Sequence, residues 1–345
     1  MQNGLNGMQR TELSEVSAHK GAVIFLMDRS YLLPFKVMMH SLRDAIENRQ
    51  EDLVVLTDDA TLVADPFLNR ICDKIIKIED SQLKLLRSID LSSVPDEFRH
   101  PKYGVYWFLK FLVFDNYGYD YHLYFDTDML CLNRFFNFRD IYAPEQRFSA
   151  SPTIGKSALG IPKSSRGEAH DDAERSRIVE TTKLIASRNY RSNRSINSGV
   201  MSIPKRLIGA DSVTSLVRLA TEKSFRLEQE VVRTWVAELD PELFTCLPIW
   251  YNMPELPLRA SGYTNSIERL LPYSSILHFN LHPKPWKGVR QEDWVHRIWH
   301  DHRQLADNWI ERMSEAPKFA ERLATRYKIA KRVVSSRGTL SSGSE

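Results

Sequence analysis

Two short apolar runs, Ala22–Met27 (AVIFLM) and Leu53–Leu56 (LVVL), constrain the fold of this chain more than any other feature. Neither alternates apolar with polar residues, so each reads as a strand buried on both faces. A helix-like stretch, Leu32–Ala45, separates them. Thr57-Asp58-Asp59 ends the second run, and a helix around Leu62–Ile71 leads to a third strand near Lys74–Ile78. Strand, helix, strand, helix, strand is the pattern of a parallel sheet with crossover helices. The aromatic-rich segment Tyr103–Tyr117 reads as a buried helix feeding a fourth strand, His122–Phe125. Strands are also expected at Phe148–Ser151, Val200–Ile203 and Ser275–His278, and helices at Ala173–Ala186, Ser212–Thr221 and Leu227–Val236. The expected class is α/β, with a mostly parallel central sheet and flanking helices.

The 345 residues suffice for one large α/β domain or two small ones. A formal charge of +3 is too small to argue for a nucleic-acid partner. Cys72, Cys131 and Cys246 are odd in number and far apart, which excludes a disulfide scaffold or a zinc knuckle and suits a reducing compartment. The first twenty residues are polar and carry Glu12 and Glu15, so they read as an extension rather than a signal peptide. No run of 18 apolar residues marks a membrane span. The expected location is the cytoplasm, with peripheral contact to a membrane as an added option.

That option rests on Lys318–Val334. Phe319, Leu323, Tyr327, Ala330 and Val334 recur at helical spacing, and Lys and Arg dominate the other positions. A basic amphipathic helix of this kind can lie on anionic lipid, or it can pack on the core with a solvated face. The Ser/Gly-rich residues 337–345 are expected to be disordered.

Two constellations carry chemistry. Asp126-Thr127-Asp128 follows the apolar strand His122–Phe125. In an open parallel sheet, ligands bind beyond the carboxyl ends of the strands. Two carboxylates placed there can face one hard divalent cation, Mg²⁺ or Mn²⁺. The same triplet is equally a strand-terminating turn. The second constellation is His278-Phe-Asn-Leu-His-Pro-Lys-Pro-Trp286. His278 can supply an imidazole to the same ion, a donor set that favours Mn²⁺ over Mg²⁺. Lys284, between two prolines, can meet a phosphate. Alone, these two are also a buried histidine and a solvated lysine.

Together the two elements resemble glycosyltransferase family 8, the group that includes glycogenin and the bacterial lipopolysaccharide galactosyl- and glucosyltransferases. That family pairs an Asp-x-Asp with a late His-x-x-Gly-x-x-Lys-Pro-Trp; here the latter is His278-x-x-Leu281-x-x-Lys284-Pro285-Trp286. Further matches run in the family's order. In Phe25-Leu-Met-Asp28-Arg-Ser-Tyr31, Asp28 and Tyr31 would hold the uracil. Lys110 matches a donor-contacting cation. Asn197-Ser198-Gly199-Val200 resembles the segment beside the donor sugar. Leu227-Glu228-Gln229 resembles the family's Asp-Gln, whose acid grips sugar hydroxyls and whose Gln lies under the anomeric carbon. Leu247-Pro248 and Tyr251-Asn252 resemble a later segment.

The resemblance implies a GT-A fold, assigned to 21–312; within it the polar stretch 153–195 reads as an insertion or lid, and 313–336 holds the basic helix. It implies a UDP-sugar donor and a glycan, lipid-linked or lipopolysaccharide-type acceptor. It also implies hexose transfer with retention. Asp126, Asp128 and His278 would hold the metal. Asp28, Tyr31, Lys110, Thr127, Ser198 and Lys284 would join the two aspartates in holding the nucleotide sugar, and Asn197, Glu228 and Gln229 would stand at the reacting carbon. Leu281 replaces a Gly, Glu228 an Asp, and Thr153 a second sugar-binding Asp. Two rivals stay in view: a non-catalytic carbohydrate-binding member of the same fold, and a sugar nucleotidyltransferase. The latter would need a Gly-rich loop that Asp28-Arg-Ser-Tyr31 does not provide.

Overall fold

The computed structural model describes residues 20–90, 106–142, 147–161, 171–187, 195–225, 227–262, 276–288 and 293–315. The helix expected at Lys318–Val334, the tail 337–345 and all of the N-terminal extension but Lys20 lie outside the described residues.

The apolar runs become the centre of a seven-stranded sheet. Its strands are β1 (Gly21–Leu26), β2 (Asp52–Thr57), β3 (Lys74–Lys77), β4 (Tyr121–Phe125), β6 (Phe148–Pro152), β7 (Ile196–Pro204) and β8 (Phe244–Cys246). The order is β3-β2-β1-β4-β7-β6-β8. The pairs β1–β2, β2–β3, β1–β4 and β6–β8 are parallel, whereas β7 runs antiparallel to β4 and β6.

Successive side chains of the central strands feed two different cores. Ala22, Ile24, Val54 and Leu56 join one cluster, with Phe111, Leu216 and Trp235. Val23, Phe25, Leu53 and Val55 join the other, with Phe35, Met39 and Leu68. A strand covered on both sides has no position for a polar residue, which is why these runs are continuous. Each such side chain contributes about 1.5–3 kcal/mol by leaving water.

The first face is covered by α5 (Asp80–Leu86), α7 (Ala210–Glu222), α8 (Glu228–Leu239) and a 3₁₀ segment, Phe108–Phe114. The aromatic stretch was expected to be an α-helix over Tyr103–Tyr117. Residues 103–105 lie outside the described part, and the rest winds as a 3₁₀ coil with all seven residues buried. That narrower coil threads between the sheet and α7 and α8. The second face is covered by α1 (Leu32–Ser41), α2 (Arg43–Glu47), α3 (Ala60–Val63) and α4 (Leu68–Ile71). The single helix expected at Leu62–Ile71 is broken at Asp65-Pro66. Pro66 lacks an N–H, and the Asp65 carboxylate accepts from Phe67 N (3.0 Å) and Leu68 N (3.2 Å), starting a new helix.

A second, three-stranded sheet, of which the sequence predicts only the strand ending at His278, has the order β5-β10-β9. It comprises β5 (Met129–Cys131), β9 (Met253–Pro254) and β10 (Ile276–His278). Helix α9 (Glu255–Ser261) follows β9, and α10 (Trp294–Glu315) packs along α1. The described part of the 153–195 insertion is folded onto the body. Helix α6 (Asp172–Ser187) packs on α9, and Ile154, Leu159, Ile178 and Ile185 share a small core with Ile249 and Met253. Among the described residues, no helix is long and apolar enough to cross a membrane.

One buried base tests the packing of β4. His122 is fully buried, between the rings of Tyr117 and Tyr119, with Nδ1 2.7 Å from the Val113 carbonyl and Nε2 without a partner. Burial lowers its pKa to about 4, against a weaker upward pull from the Val113 carbonyl. The folded protein thus refuses a proton that the unfolded chain accepts below about pH 6.5. Stability should fall as pH drops from about 6.5 to 4, with this residue contributing a slope of up to about 1.4 kcal/mol per pH unit. Urea unfolding across that range should show a shallower fall for His122→Gln than for wild type. Equal slopes would show that His122 is not held neutral.

Candidate functional site

Strand register assembles the site. Phe25 pairs with Phe125, so the segment after β1 and the Asp-Thr-Asp after β4 emerge at one carboxyl edge of the sheet. Val200 pairs with Phe125 from the antiparallel side, which sets Asn197-Ser198-Gly199 beside Asp126, and Asp126 N donates to Gly199 O (2.7 Å). β5 begins immediately after Asp128, and His278 of β10 pairs with its first residue, Met129. Phe279 N then donates to Asp128 O (2.9 Å). Two residues 150 positions apart are thereby locked together by backbone.

The result is a tight cluster. One ligand atom from each of Asp126, Asp128 and His278 lies within 4.8 Å of the others. His278 Nε2 stands 3.2 Å from Asp128 Oδ1 and 3.7 Å from Asp126 Oδ2. Asp128 and His278 are buried, and Asp126 keeps a side toward solvent. Among the described residues, this is the group of acids, histidines and cysteines arranged to hold a metal ion.

A hydrogen-bond chain decides which histidine nitrogen faces the acids. Gly199 N donates to Asn197 Oδ1 (2.9 Å), which also accepts from Asn252 Nδ2 (3.0 Å). With its amide nitrogen so used, Asn252 presents Oδ1 to His278 Nδ1 at 2.8 Å. Nδ1 therefore carries the proton, and Nε2 turns a lone pair toward Asp128. Asp128 Oδ1, buried, has no hydrogen-bond partner. Two lone-pair-bearing atoms 3.2 Å apart in a buried place are what a divalent cation would resolve, so the residues present fit one. Gly199 makes room for the ring: a Cβ there would lie 2.6 Å from His278 Cε1.

Two buried lysines balance the acids. Lys284 Nζ is 2.8 Å from Asp128 Oδ2. Burial alone would raise the Asp128 pKa, but the Lys284 ammonium outweighs it and holds the carboxyl well below the usual range. Lys110 Nζ lies 3.0 Å from Asp126 Oδ1 and 3.2 Å from Glu228 Oε1, and donates to Ser198 Oγ (3.0 Å). Burial works against its charge, and Asp126 and Glu228 overcome that, so its pKa rises. Ser198 Oγ donates in turn to Glu228 Oε1 (2.7 Å), and Tyr124 OH donates to Asp126 Oδ1 (2.6 Å). Lys110, which by itself reads as a surface lysine, is thus a central member of the cluster.

The remaining expected residues are also near this edge. Thr127 is buried between the two aspartates in the chain. Gln229 begins α8 beside Glu228, with Oε1 3.5 Å from Ser198 N. Asp28 caps the 3₁₀ turn Arg29–Tyr31, accepting from Ser30 N (2.8 Å). The Tyr31 ring meets Trp286 edge-on at 5.7 Å, joining the first loop to the Lys284-Pro-Trp loop. The Leu281 N–H has a different fate from the one its sequence match suggests. It donates to Oε1 of fully buried Glu255 (2.6 Å), whose other oxygen accepts from Arg259 (2.7 Å). It is therefore not free to meet a phosphate. Sequence reasoning assigned no role to Asn252 or Glu255. The Tyr251-Asn252 match was the one available signal for the former, and Glu255 left none.

Comparisons with known proteins agree with this architecture. The model of glycosyl transferase family 8 matches residues 22–289. No curated protein matches the sequence. Among solved structures, the galactosyltransferase LgtC, in complex with donor and acceptor sugar analogues, is similar over 82% of this chain and 95% of its own, with a TM-score of 0.50 and 14% identity. At that identity the likeness concerns the fold, which is GT-A. The glycosyltransferase GlyE of Streptococcus pneumoniae TIGR4 gives a TM-score of 0.47 and 15% identity over 87% of this chain. This chain spans 66% of the GlyE chain, just under two thirds. With the family model covering most of its length, the chain belongs to glycosyl transferase family 8.

Proposed function

We propose that this glycosyltransferase is a retaining, Mn²⁺-dependent enzyme that moves a hexose from a UDP-sugar to a glycan, lipid-linked or lipopolysaccharide-type acceptor. The observation that carries the reading is the pair of facing lone pairs, His278 Nε2 and Asp128 Oδ1, beside Asp126. Asp126, Asp128 and His278 would hold the ion. When bound, a divalent ion neutralises charge on a departing diphosphate. Mn²⁺ suits the mixed oxygen and nitrogen donors, with Mg²⁺ as second choice.

The other roles fall to the chain's own groups. Lys284 now spends its charge on Asp128; a bound diphosphate gives that ammonium a second anion within reach of the same loop. Asp28 would accept from the uracil N–H, and Tyr31 would lie on the ring. Glu228 uses Oε1 on Ser198 and Lys110, leaving Oε2 for a sugar hydroxyl. As the glycosidic C–O bond breaks, the sugar becomes oxocarbenium-like. The acceptor hydroxyl attacks from the same face, and its proton passes to the leaving phosphate oxygen. Asn197 and Gln229 stand beside this carbon; an amide is a poor nucleophile, so Gln229 shields the cation. Fixed charge at the leaving group is the largest expected contribution to rate.

The same interaction can be tested from both ends. Asp128→Ala should lower Mn²⁺-dependent UDP release from the best UDP-sugar of a panel by ~100-fold or more, since losing several kcal/mol of charge stabilisation costs that much. A fully active Asp128→Ala protein would remove the metal role. Protein that binds a UDP-sugar but never releases UDP would favour the non-catalytic member, a reading to which the occupied Leu281 amide gives some weight.

Asn252→Leu removes the anchor of His278 Nδ1, and Gly199→Ala pushes on the ring. Each should weaken Mn²⁺ binding roughly 10- to 100-fold, as loss of a metal ligand's hydrogen-bond partner does elsewhere. Calorimetric titration with Mn²⁺ and UDP, alongside circular dichroism to verify folding, checks this. Unchanged affinity in both variants would mean that the imidazole is not a ligand.

A further inference from the structure

Helix α8 serves two places at once. Its first turn turns Glu228 toward Lys110 and Ser198. Gln229, the next residue, and Arg233, four residues beyond it and so on the same face, line a cavity of about 390 Å³. That size is within the range of small-molecule sites, about 300–1,000 Å³. Thr153 and Ser195, just after β6 and just before β7, also line it and are tied by Thr153 N to Ser195 O (3.2 Å). Half-buried Phe225 adds an aromatic face.

Two polar groups in this cavity lack partners. The Thr153 hydroxyl is buried and makes no hydrogen bond. Arg233 is half-buried, and among the described residues no hydrogen bond or ion pair engages its guanidinium, although salt bridges and hydrogen bonds occupy the buried lysines nearby. Glu230, three residues before Arg233, lines the same cavity and has a partner of its own. A partly desolvated guanidinium that no carboxylate of the described residues engages is a fork for a planar or tetrahedral oxyanion. An aromatic ring and small hydroxylated residues in one lining suit a sugar ring.

We infer that this cavity takes the acceptor, and that Arg233 selects acceptor sugars bearing an anionic group, a carboxylate or a phosphate. The inference rests on the glycosyl-transfer reading above, because Gln229 is shared between the cavity and the reacting carbon. Arg233 stands about 6 Å along α8 from Gln229, four residues at about 1.5 Å each. The anion it holds is therefore a substituent of the accepting sugar or its immediate neighbour.

The test uses the full chain with UDP and Mn²⁺ present and three probes: methyl β-glucoside, methyl β-glucuronide and glucose 6-phosphate. Saturation-transfer NMR titrations give their relative affinities for wild type, Arg233→Gln and Arg233→Lys. One charge-assisted contact corresponds to roughly tenfold or more in affinity. Wild type should prefer the glucuronide, the phosphate or both over the neutral sugar by that factor. A preference for the glucuronide alone identifies a uronate-type acceptor, and for the phosphate alone a phosphosugar. Arg233→Gln should erase the preference and Arg233→Lys keep part of it, with unchanged melting temperatures showing that both are folded. Wild type that binds UDP but treats the three probes alike, or a folded Arg233→Gln that keeps the preference, overturns this inference alone. Wild type that fails to bind UDP with Mn²⁺ overturns both readings, since an acceptor site has no role without a donor.

Discussion

The backbone pairing of β10 with β5 is the constraint on which the site depends. It fixes His278 opposite Met129, one residue past Asp128, and so forces an imidazole against a carboxylate in a buried place. The parallel pairing of β9 with β10 brings in Asn252, which dictates the tautomer. Neither sheet contact concerns chemistry, yet together they leave two lone pairs facing each other. An arrangement of that kind costs free energy unless a proton or a cation fills it. One imidazole proton is committed to Nδ1, so the Nε2 side needs either a second proton or a cation, and the three converging ligands suit the cation.

Around that pair the fold sets an alternation of fixed charges. Lys284 meets Asp128, and Lys110 meets Asp126 and Glu228, all but Asp126 nearly closed to water. Removing one partner from such a network would strand a buried charge, which is commonly costlier than the pair is stabilising. The network therefore does more to position groups than to stabilise the fold. It preorganises two cations on the side where, on the proposed reading, a diphosphate departs. Helix α8 extends the design by carrying Glu228 and Gln229 at the cluster and Arg233 in the adjoining cavity.

Much of this was legible in the residues, and the failures have physical causes. β1, β2 and β4 stand out because burial on both faces demands an unbroken apolar run. β5, β9 and β8, of two or three residues each, are too short for any periodicity to register. The helix expected across Asp65-Pro66 failed because a proline without an N–H outweighs apolar spacing. Lys110 read as exposed because local sequence says nothing of the carboxylates that fold against it. Asn252 and Glu255 went unassigned because their partners, His278 and Leu281, are 26 residues away and meet them only through tertiary structure. That the Leu281 amide donates to Glu255 is hidden in the sequence for the same reason.

The most direct measurement is pulsed electron paramagnetic resonance on protein loaded with Mn²⁺ and UDP. Three-ligand coordination predicts nitrogen modulation from one directly bound imidazole, present in wild type and absent in His278→Gln, together with phosphorus coupling from the diphosphate. Mn²⁺ bound with phosphorus coupling but no imidazole nitrogen in wild type would contradict the account, since His278 would then be a structural neighbour of the acids and not their partner in holding the ion.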